Sequence, residues 1–158
     1  MKKFKLGVLI ISIIICLSIG FLGSIFTSSS VNSWYPTIKK PSFNPPSWIF
    51  GPVWTVLYIL MGISVYLFWL NSKNPDYLVR GLILFVVHLI LNFAWSFLFF
   101  GLQNPLLALI EIVVLWLSII FVIFYFYKVS KTSSYLLIPY LLWVTFASIL
   151  NLFIVILN

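Results

Sequence analysis

Large aromatic and polar side chains recur at helical spacing on three apolar stretches of this chain. Trp54 and Tyr58 lie on one stretch, Asn92 and Trp95 on a second, and Trp143 on a third. Residues three or four positions apart share one face of a helix. An amide or an indole is costly to expose to hydrocarbon, so these faces should point into a helix bundle. The pattern predicts a pocket walled by aromatic rings, which suits a flat apolar ligand.

The same side chains offer little conventional catalysis. The chain has a single histidine, His88, so it provides neither a Ser-His-Asp set nor a metal-binding motif, and no Gly-rich phosphate loop is present. His88 and Asn151 are interpreted as hydrogen-bonding groups between helices. Glu111 is the only acid inside an apolar stretch, and its place near a helix start favours a structural role. If the pocket carries out redox chemistry, Trp54 and Trp143 are the candidate residues.

A proline-rich segment, residues 28–47, is predicted to form a lid over this pocket. Its prolines fix φ and remove backbone donors, so the lid should be rigid rather than floppy. Trp34 and Phe43 are its candidate ligand contacts, and Ser47 could cap the next helix. The alternative is an aromatic anchor at the membrane–water boundary that binds no ligand. The prolines are Pro36, Pro41, Pro45 and Pro46.

The elements that position these residues follow from composition. The chain has 158 residues, of which 63% are hydrophobic and only 7% charged, so lipid rather than water must surround it. Five apolar stretches are long enough to span a bilayer. The sequence predicts an all-α membrane protein with one domain of five transmembrane helices, the first a retained helix rather than a signal peptide. The predicted spans are residues 6–26, 48–70, 81–101, 106–127 and 135–157.

Basic side chains lie at the ends of these spans rather than in one patch, although the net charge is +7. This distribution argues against nucleic-acid binding. Seven of the nine Lys and Arg residues fall on the N-terminal side of the predicted topology. The positive-inside rule therefore predicts a multi-pass cell-membrane protein with a cytoplasmic N-terminus and an external first loop. The seven are Lys2, Lys3, Lys5, Lys73, Arg80, Lys128 and Lys131, and the other two are Lys39 and Lys40.

Small residues form a stripe along the first span, which predicts close helix packing in lipid. The third span has no Gly-x-x-x-Gly pair, so a homodimer through that helix has no support from the sequence. The stripe consists of Ser12, Cys16, Gly20, Gly23 and Thr27.

These residues together resemble the tryptophan-rich sensory protein family, also called the translocator protein or peripheral benzodiazepine receptor family. The resemblance covers nearly the whole chain in order, and the loop rich in proline and tryptophan is its most specific part. It is carried by Trp34-Tyr35, Lys40-Pro41-Ser42-Phe43, Pro45-Pro46, Trp48, Gly51-Pro52-Val53-Trp54, Leu57-Tyr58, Met61-Gly62, Leu91-Asn92-Phe93-Ala94-Trp95, Phe99-Phe100-Gly101, Pro139-Tyr140-Leu141-Leu142-Trp143, Phe146-Ala147 and Leu150-Asn151.

The resemblance implies a five-helix bundle that binds porphyrins, such as protoporphyrin IX or a haem-like molecule, and synthetic aromatic ligands beneath the first loop. It implies no required cofactor, because the porphyrin is the ligand. Porphyrin propionates could then meet Lys39, Lys40 or amides of the lid. The pocket positions that the resemblance implies are Trp54, Asn92, Trp143 and Ala147.

Three functions remain open at this point. The favoured one is a ligand-binding membrane sensor for porphyrins, and the alternatives are a tetrapyrrole transporter and an enzyme that degrades protoporphyrin with light and oxygen. The family's sterol-recognition pattern would need a tyrosine and then a basic residue after Ala147, and residues 147–158 contain neither. The expected ligand contacts are Trp34, Phe43, Trp54, Tyr58, Asn92, Trp95, Trp143 and Ala147.

Overall fold

The computed structural model describes residues 5–158. Within that range five helical segments are long and apolar enough to cross a membrane, which confirms the predicted all-α membrane architecture. Lys2 and Lys3, which contribute to the predicted orientation, lie outside the described residues. The helices are α1 (Leu6–Val31), α2 (Phe50–Asn71), α3 (Pro75–Ser96), α4 (Pro105–Tyr127), α5 (Lys131–Tyr135) and α6 (Ile138–Leu157).

The first helix is longer than predicted and the first loop is shorter. α1 continues to Val31 rather than ending near residue 26, so the first loop comprises residues 32–46 and not 28–47. The serines at this end belong to the predicted lid segment, but their hydroxyls bond within the helix. Ser28 donates to the carbonyl of Ile25 at 3.1 Å and Ser29 to that of Phe26 at 2.8 Å. Serine satisfied in this way extends a helix instead of ending it.

A single 3₁₀ turn, Ser47–Ile49, joins the loop to α2. The prediction that Ser47 caps α2 is wrong, because its side chain makes no capping hydrogen bond and Ile49 occupies the N-cap position. The Ile49 amide donates instead to the carbonyl of Pro46 at 3.1 Å. The backbone of the turn thus takes over part of the role expected of a capping side chain.

Two asparagine caps set the starts of α3 and α4. The side chain of Asn74 accepts the amide of Tyr77 at 3.1 Å, and a proline follows each capping asparagine in the first helical position. This is a favoured arrangement for a helix start. α3 begins at Pro75 rather than at residue 81, because Asp76 and Arg80 were counted as outside the apolar span although both lie in the helix.

The last span is interrupted rather than continuous over residues 135–157. The short helix α5 precedes α6, and Pro139 lies in the first turn of α6, where its missing amide costs no hydrogen bond. The side chain of Ser130 caps α5 by accepting the amide of Ser133 at 3.2 Å. α5 contacts α2 and so closes one end of the bundle.

Small residues bring α1 against its neighbours, as the stripe predicted. At Gly20 an added Cβ would overlap the ring of Tyr58 on α2, and Cys16 is fully buried. Across the same interface, a Cβ on Gly62 of α2 would lie 2.6 Å from the Cα of Ile13. Backbone approach this close is typical of helices that pack in lipid.

The end of α3 continues as a π-helical turn, Phe97–Gly101. The amide of Leu102 donates to the carbonyl of Phe97 at 2.8 Å. The hydroxyl of Ser30 on α1 donates to the carbonyl of Phe100 at 2.7 Å. Turns of this kind are often found at functional sites, and this one ends directly beneath the first loop.

The two ends of the bundle differ in packing. On the side away from the first loop, Phe68 and Phe126 stack with ring centroids 4.0 Å apart, and Tyr77 and Tyr125 stack at 4.1 Å. On the loop side the helices surround a cavity. We call the first end the packed half and the second the cavity half. The packed half comprises residues 5–19, 59–91 and 117–142, and the cavity half residues 20–58, 92–116 and 143–158.

A candidate ligand-binding cavity

A cavity of about 660 Å³ lies between α1, α2, the end of α3 and α6, beneath the first loop. This volume is within the range of small-molecule binding sites. Most of its large side chains are aromatic, and they come from four different helical segments and the loop. The aromatic lining residues are Phe21, Tyr35, Trp48, Phe50, Trp54, Tyr58, Trp95, Phe99, Phe100 and Trp143.

The floor of the cavity is a hydrogen-bonded network. The rings of Trp54 and Tyr58 stack with centroids 5.6 Å apart. The hydroxyl of Tyr58 donates to the side-chain oxygen of Asn92 at 2.5 Å, and the Asn92 amide donates to the hydroxyl of Tyr140 at 2.9 Å. The network joins α2, α3 and α6, so it fixes the orientation of the rings above it.

Asn92 therefore has a different position from the one predicted. The sequence placed it in the pocket wall with Trp54 and Trp143, but the structure brings only the two tryptophans into the wall. Asn92 is buried one layer below, where both ends of its amide are bonded to tyrosines. Its side chain positions Tyr58, and Tyr58 in turn lines the cavity.

Trp143 supplies the one indole N–H in the wall that is buried without a partner among residues 5–158. Its ring packs edge-on to Phe50, with centroids 6.1 Å apart, and lies 5.5 Å from Phe146. A buried donor without an acceptor carries a desolvation cost. The N–H is buried from the cavity as well, so a ligand oxygen or nitrogen could remove that cost only after the ring turns. In this structure Trp143 contributes its ring to the wall.

Trp95 lines the opposite wall and is already bonded. Its indole donates to the side-chain oxygen of Asn151 at 3.2 Å, and Asn151 donates to the carbonyl of Pro105 at 2.8 Å. The prediction that Asn151 links helices is confirmed, since these bonds join α3, α4 and α6. The ring of Trp95 stacks on Phe99, with centroids 5.1 Å apart. The indole therefore contributes an apolar face to the cavity wall.

The first loop forms the roof of the cavity, and hydrogen bonds to Asn158 and within the loop hold it in place. The side chain of Asn158 accepts the amide of Lys39 at 2.9 Å and donates to its carbonyl at 2.9 Å. The hydroxyl of Tyr35 donates to Asn44 at 2.7 Å. Burial raises the pKa of Tyr35 to about 12, against a smaller lowering by the Asn44 bond, so its hydroxyl remains a donor at neutral pH.

Three loop residues fall outside the wall. Trp34 packs edge-on to Phe99, with centroids 5.6 Å apart, and does not line the cavity. Phe43 packs at 5.3 Å against Phe153 of α6 and lies outside it as well. Lys40 donates to the carbonyls of Tyr35 and Ile38 at 2.6 and 2.9 Å.

The expected meeting of porphyrin propionates with Lys39 or Lys40 therefore finds no support in the geometry. Neither lysine lines the cavity. The ammonium of Lys40 is bound by the loop's own carbonyls and lies 4.8 Å from the centre of the Tyr35 ring. Lys40 thus stabilises the roof from within, rather than presenting a charge to the space below.

Two ionisable side chains inside the bundle lie outside the wall. His88 bonds through Nδ1 to the carbonyl of Phe85 in its own helix at 2.6 Å, so the prediction that it links helices is wrong. The Phe85 carbonyl lies one turn away, and Nε2 of His88 has no hydrogen-bond partner within residues 5–158. Both carboxyl oxygens of Glu111 are buried and have no hydrogen-bond partner within residues 5–158.

Residues of α1 make a larger contribution to the wall than the sequence indicated. The small-residue stripe was interpreted mainly as packing, with any ligand role being to leave space, and Gly20, Gly23 and Thr27 do border the cavity. Their short side chains leave the space that the aromatic residues on α2 and α3 surround. A stripe of small residues facing a set of large rings is the signal that could have identified this wall. Tyr58, Trp95 and Ala147 lie where they were predicted, in the lining.

Comparison with known proteins gives a consistent assignment. The model of the TspO/MBR family matches residues 12–157. The Tryptophan-rich protein TspO of Archaeoglobus fulgidus is 51% identical over 150 residues, which are 95% of this chain and 96% of that protein. Protein CrtK of Rhodobacter capsulatus is 37% identical over 86% of this chain and 83% of its own. The human Translocator protein is 36% identical over 83% of this chain and 78% of its own. With its five apolar helices, the chain is a multi-pass membrane protein that belongs to the TspO/MBR family.

Proposed function

We propose that this protein binds a flat, hydrophobic ligand of the porphyrin class in the cavity beneath the first loop, in a sensory or regulatory role. One observation carries the proposal: a cavity of about 660 Å³ has Trp54, Trp95 and Trp143 in its walls. Indole rings offer large flat apolar surfaces that stack on an aromatic macrocycle. The ligand and the bilayer are the two partners that the proposal requires.

The polar groups of the wall fit a ligand with few hydrogen-bonding atoms. The N–H of Trp143 is buried and has no partner within residues 5–158, whereas Trp95 and Tyr58 already donate to asparagine side chains. Ligand pockets typically combine an apolar lining with a few polar groups that fix orientation. Because Lys40 is held within the loop, we expect charged groups of a porphyrin to lie at the mouth of the cavity rather than against this lysine.

Oxidative breakdown of the porphyrin is the second candidate function. The observation that favours it is the contact of Trp54 with Tyr58 and Tyr140, at centroid distances of 5.6 and 6.1 Å. Tryptophan and tyrosine are the side chains that most readily give up an electron, so a photoexcited ligand beside Trp54 would have a redox partner. Transport is the third candidate, and it draws on the name Translocator protein that the human relative and several others carry.

A protoporphyrin IX titration of the purified protein, in the dark and under light, separates these functions. Binding alone predicts a saturable change in absorbance that is stable in time under both conditions. Breakdown predicts that the absorbance of the bound porphyrin falls under light and oxygen, and Trp54→Phe should then stop the loss at saturating porphyrin. Transport predicts accumulation inside proteoliposomes. No saturable change in the dark would refute the proposed ligand class.

We further propose that the membrane is the cell membrane and that the first loop is external. The contact between Lys39 and Asn158 places the first loop and residue 158 at the same end of the bundle. Of the seven basic residues that the structure describes, the five other than Lys39 and Lys40 belong to the opposite end. Thr37 is exposed in the loop. A cysteine at Thr37, in a Cys16→Ser background, should react with an impermeant reagent in intact cells. Reaction only after lysis would reverse the orientation.

A further inference from the structure

α1 and α2 separate along one side of the cavity. They are in contact at Gly20, where the ring of Tyr58 lies against the glycine. Beyond that point α1 follows α3 instead: Gly23 lies against Ser96, and the ring of Phe26 packs edge-on to Phe97 at 5.2 Å. The space between α1 and the start of α2 belongs to the cavity. The two helices therefore form a wedge that opens toward the first loop.

The edges of this wedge are exposed on the outside of the bundle. Phe21 is 70% exposed and Trp48 is 73% exposed, yet both also line the cavity. A residue that borders a cavity and also lies on the outer surface marks a place where the cavity opens. The outer surface of a spanning helix faces lipid. The rim residues are Phe21, Ser24 and Ser28 on α1, Trp48 in the 3₁₀ turn, and Gly51 and Thr55 on α2.

The hydroxyl groups of this rim are satisfied within their own helices. Ser24 donates to the carbonyl of Phe21 at 2.7 Å, and Thr55 donates to that of Gly51 at 2.9 Å. Ser28 makes the same kind of bond to the preceding turn. A polar group without a partner is costly in hydrocarbon. Since these hydroxyls have partners, the rim behaves as a narrow apolar edge that lipid can contact.

The roof differs from this side opening because hydrogen bonds hold it closed. The pair of bonds between Lys39 and Asn158, the Tyr35–Asn44 bond and the bonds of Lys40 all tie the loop in place. Entry through the roof would have to break them. Entry through the wedge breaks none of these bonds, and exposed side chains such as those at its rim rotate on the picosecond to nanosecond timescale.

We propose that the wedge between α1 and α2 is a lateral portal through which a hydrophobic ligand dissolved in the bilayer enters the cavity. The proposal rests on the proposed function for the class of ligand and adds the route. It follows that the ligand concentration in the membrane governs binding. The rim residues then set the rates at which the ligand enters and leaves the cavity. The roof remains closed while the ligand passes.

Two glycines provide a matched pair for testing this route. A Cβ at either Gly51 or Gly7 would meet no atom within 4 Å, but only Gly51 lies on the rim. In vesicles, Gly51→Leu should slow both association and dissociation of protoporphyrin by about tenfold with little change in Kd, whereas Gly7→Leu should alter neither. Ser24→Leu narrows the portal from the opposite helix and should act in the same way. Unchanged rates in both rim variants would overturn the portal.

A second measurement needs no porphyrin. Ala147 lines the cavity and is buried, so a cysteine there, in a Cys16→Ser background, reports access. An alkyl methanethiosulfonate dissolved in the lipid should modify it faster than a charged reagent in the water, and Gly51→Leu should slow the alkyl reagent about tenfold. Faster reaction with the charged reagent would place the entrance at the roof and overturn the portal. A wild-type protein that binds no protoporphyrin would defeat the proposed ligand class, while this labelling would still decide the route.

Discussion

The packed half and the cavity half are built from the same helices but differ in how their side chains pack. In the packed half, Gly62 lies against the backbone of Ile13, and the aromatic rings of Phe68 and Phe126 stack on one another. In the cavity half, α1 moves from α2 to α3, and the aromatic rings surround an empty space instead of filling it. The comparison shows that small residues have two uses here: they close one interface and leave room in the other.

The polar groups follow the same division. Ser64 and Ser133 in the packed half each donate to the other's carbonyl, at 2.7 and 2.6 Å, so every donor in that pair is satisfied. Trp143 in the cavity half keeps a buried N–H without a partner in the part of the chain that the structure describes. A fully bonded pair contributes stability, whereas an unpaired buried donor reduces it and could bond to a ligand once its ring turns. Stability should therefore depend on one half and affinity on the other.

The largest effect should come from the packed half, at Gly62. Gly62→Leu would place side-chain carbon 2.6 Å from the Cα of Ile13, and because backbone cannot move aside we expect a loss of about 3 kcal/mol or more in unfolding free energy. Thermal unfolding in detergent measures this loss. Gly7→Leu, which meets no atom within 4 Å, is the matched control and should leave the midpoint unchanged. Equal midpoints for the two variants would contradict the close packing.

Asn92 lies where the two halves meet, so its removal should lower both stability and affinity. Asn92→Ala leaves the hydroxyls of Tyr58 and Tyr140 unpaired, at a cost of about 2 kcal/mol in unfolding free energy. Porphyrin affinity should fall because Tyr58 is no longer held beneath Trp54. The triple variant with Tyr58→Phe and Tyr140→Phe removes the unpaired hydroxyls and should recover part of the stability. No recovery would mean that Asn92 acts by packing.

Two tryptophans within the cavity half separate a donor without a partner from a bonded one. Trp143→Phe removes a donor that bonds to nothing in the described chain, so affinity for protoporphyrin should fall about tenfold while stability stays the same or rises. Trp116→Phe removes a donor bonded to Thr145 at 2.8 Å, away from the cavity lining. It should lower stability by about 1 kcal/mol and leave affinity intact. Titration and thermal unfolding of both variants test the contrast, and the reverse pattern would defeat it.

The smallest effect should come from the roof. Asn158→Ala removes both bonds to Lys39, so the loop loses order and holds the ligand less tightly, since ordering a loop on binding costs free energy. With the route through the rim unchanged, the weaker affinity should appear as a dissociation rate about two- to threefold higher. Stability of the bundle should not change. Stopped-flow dissociation measures the rate. A dissociation rate equal to that of the wild type would show that the roof plays no part in retention.

Much of this arrangement could be predicted from the sequence. Helical spacing placed Trp54, Tyr58 and Trp95 on inward faces, and the apolar stretches gave the five spans. Periodicity cannot show which inward residues meet, because a face can point at a void or at a neighbouring helix. Asn92 was therefore placed in the wall, although tyrosines on two other helices take both ends of its amide.

The roof was the least predictable part. The prolines indicated a stiff loop. Nothing in the sequence indicated that Lys40 bonds to the loop's own carbonyls or that Asn158 bonds to the backbone of Lys39. These contacts join residues that only the folded chain brings together. The end of α1 was missed for a local reason, since a run of serines is compatible with a turn or with a helix whose hydroxyls bond backward.

The central claim is that the cavity half holds the ligand, and filling the cavity tests it most directly. Ala147 lies in the wall and is buried, so Ala147→Phe adds a ring to the space between Trp143 and Trp54 without touching the packed half. The measurement is the dark equilibrium titration of protoporphyrin IX, for wild type and variant, at matched thermal stability. The account predicts that affinity falls by at least about tenfold, because a ring and a macrocycle compete for one volume. Wild-type affinity in a folded Ala147→Phe protein would place the ligand elsewhere and contradict it.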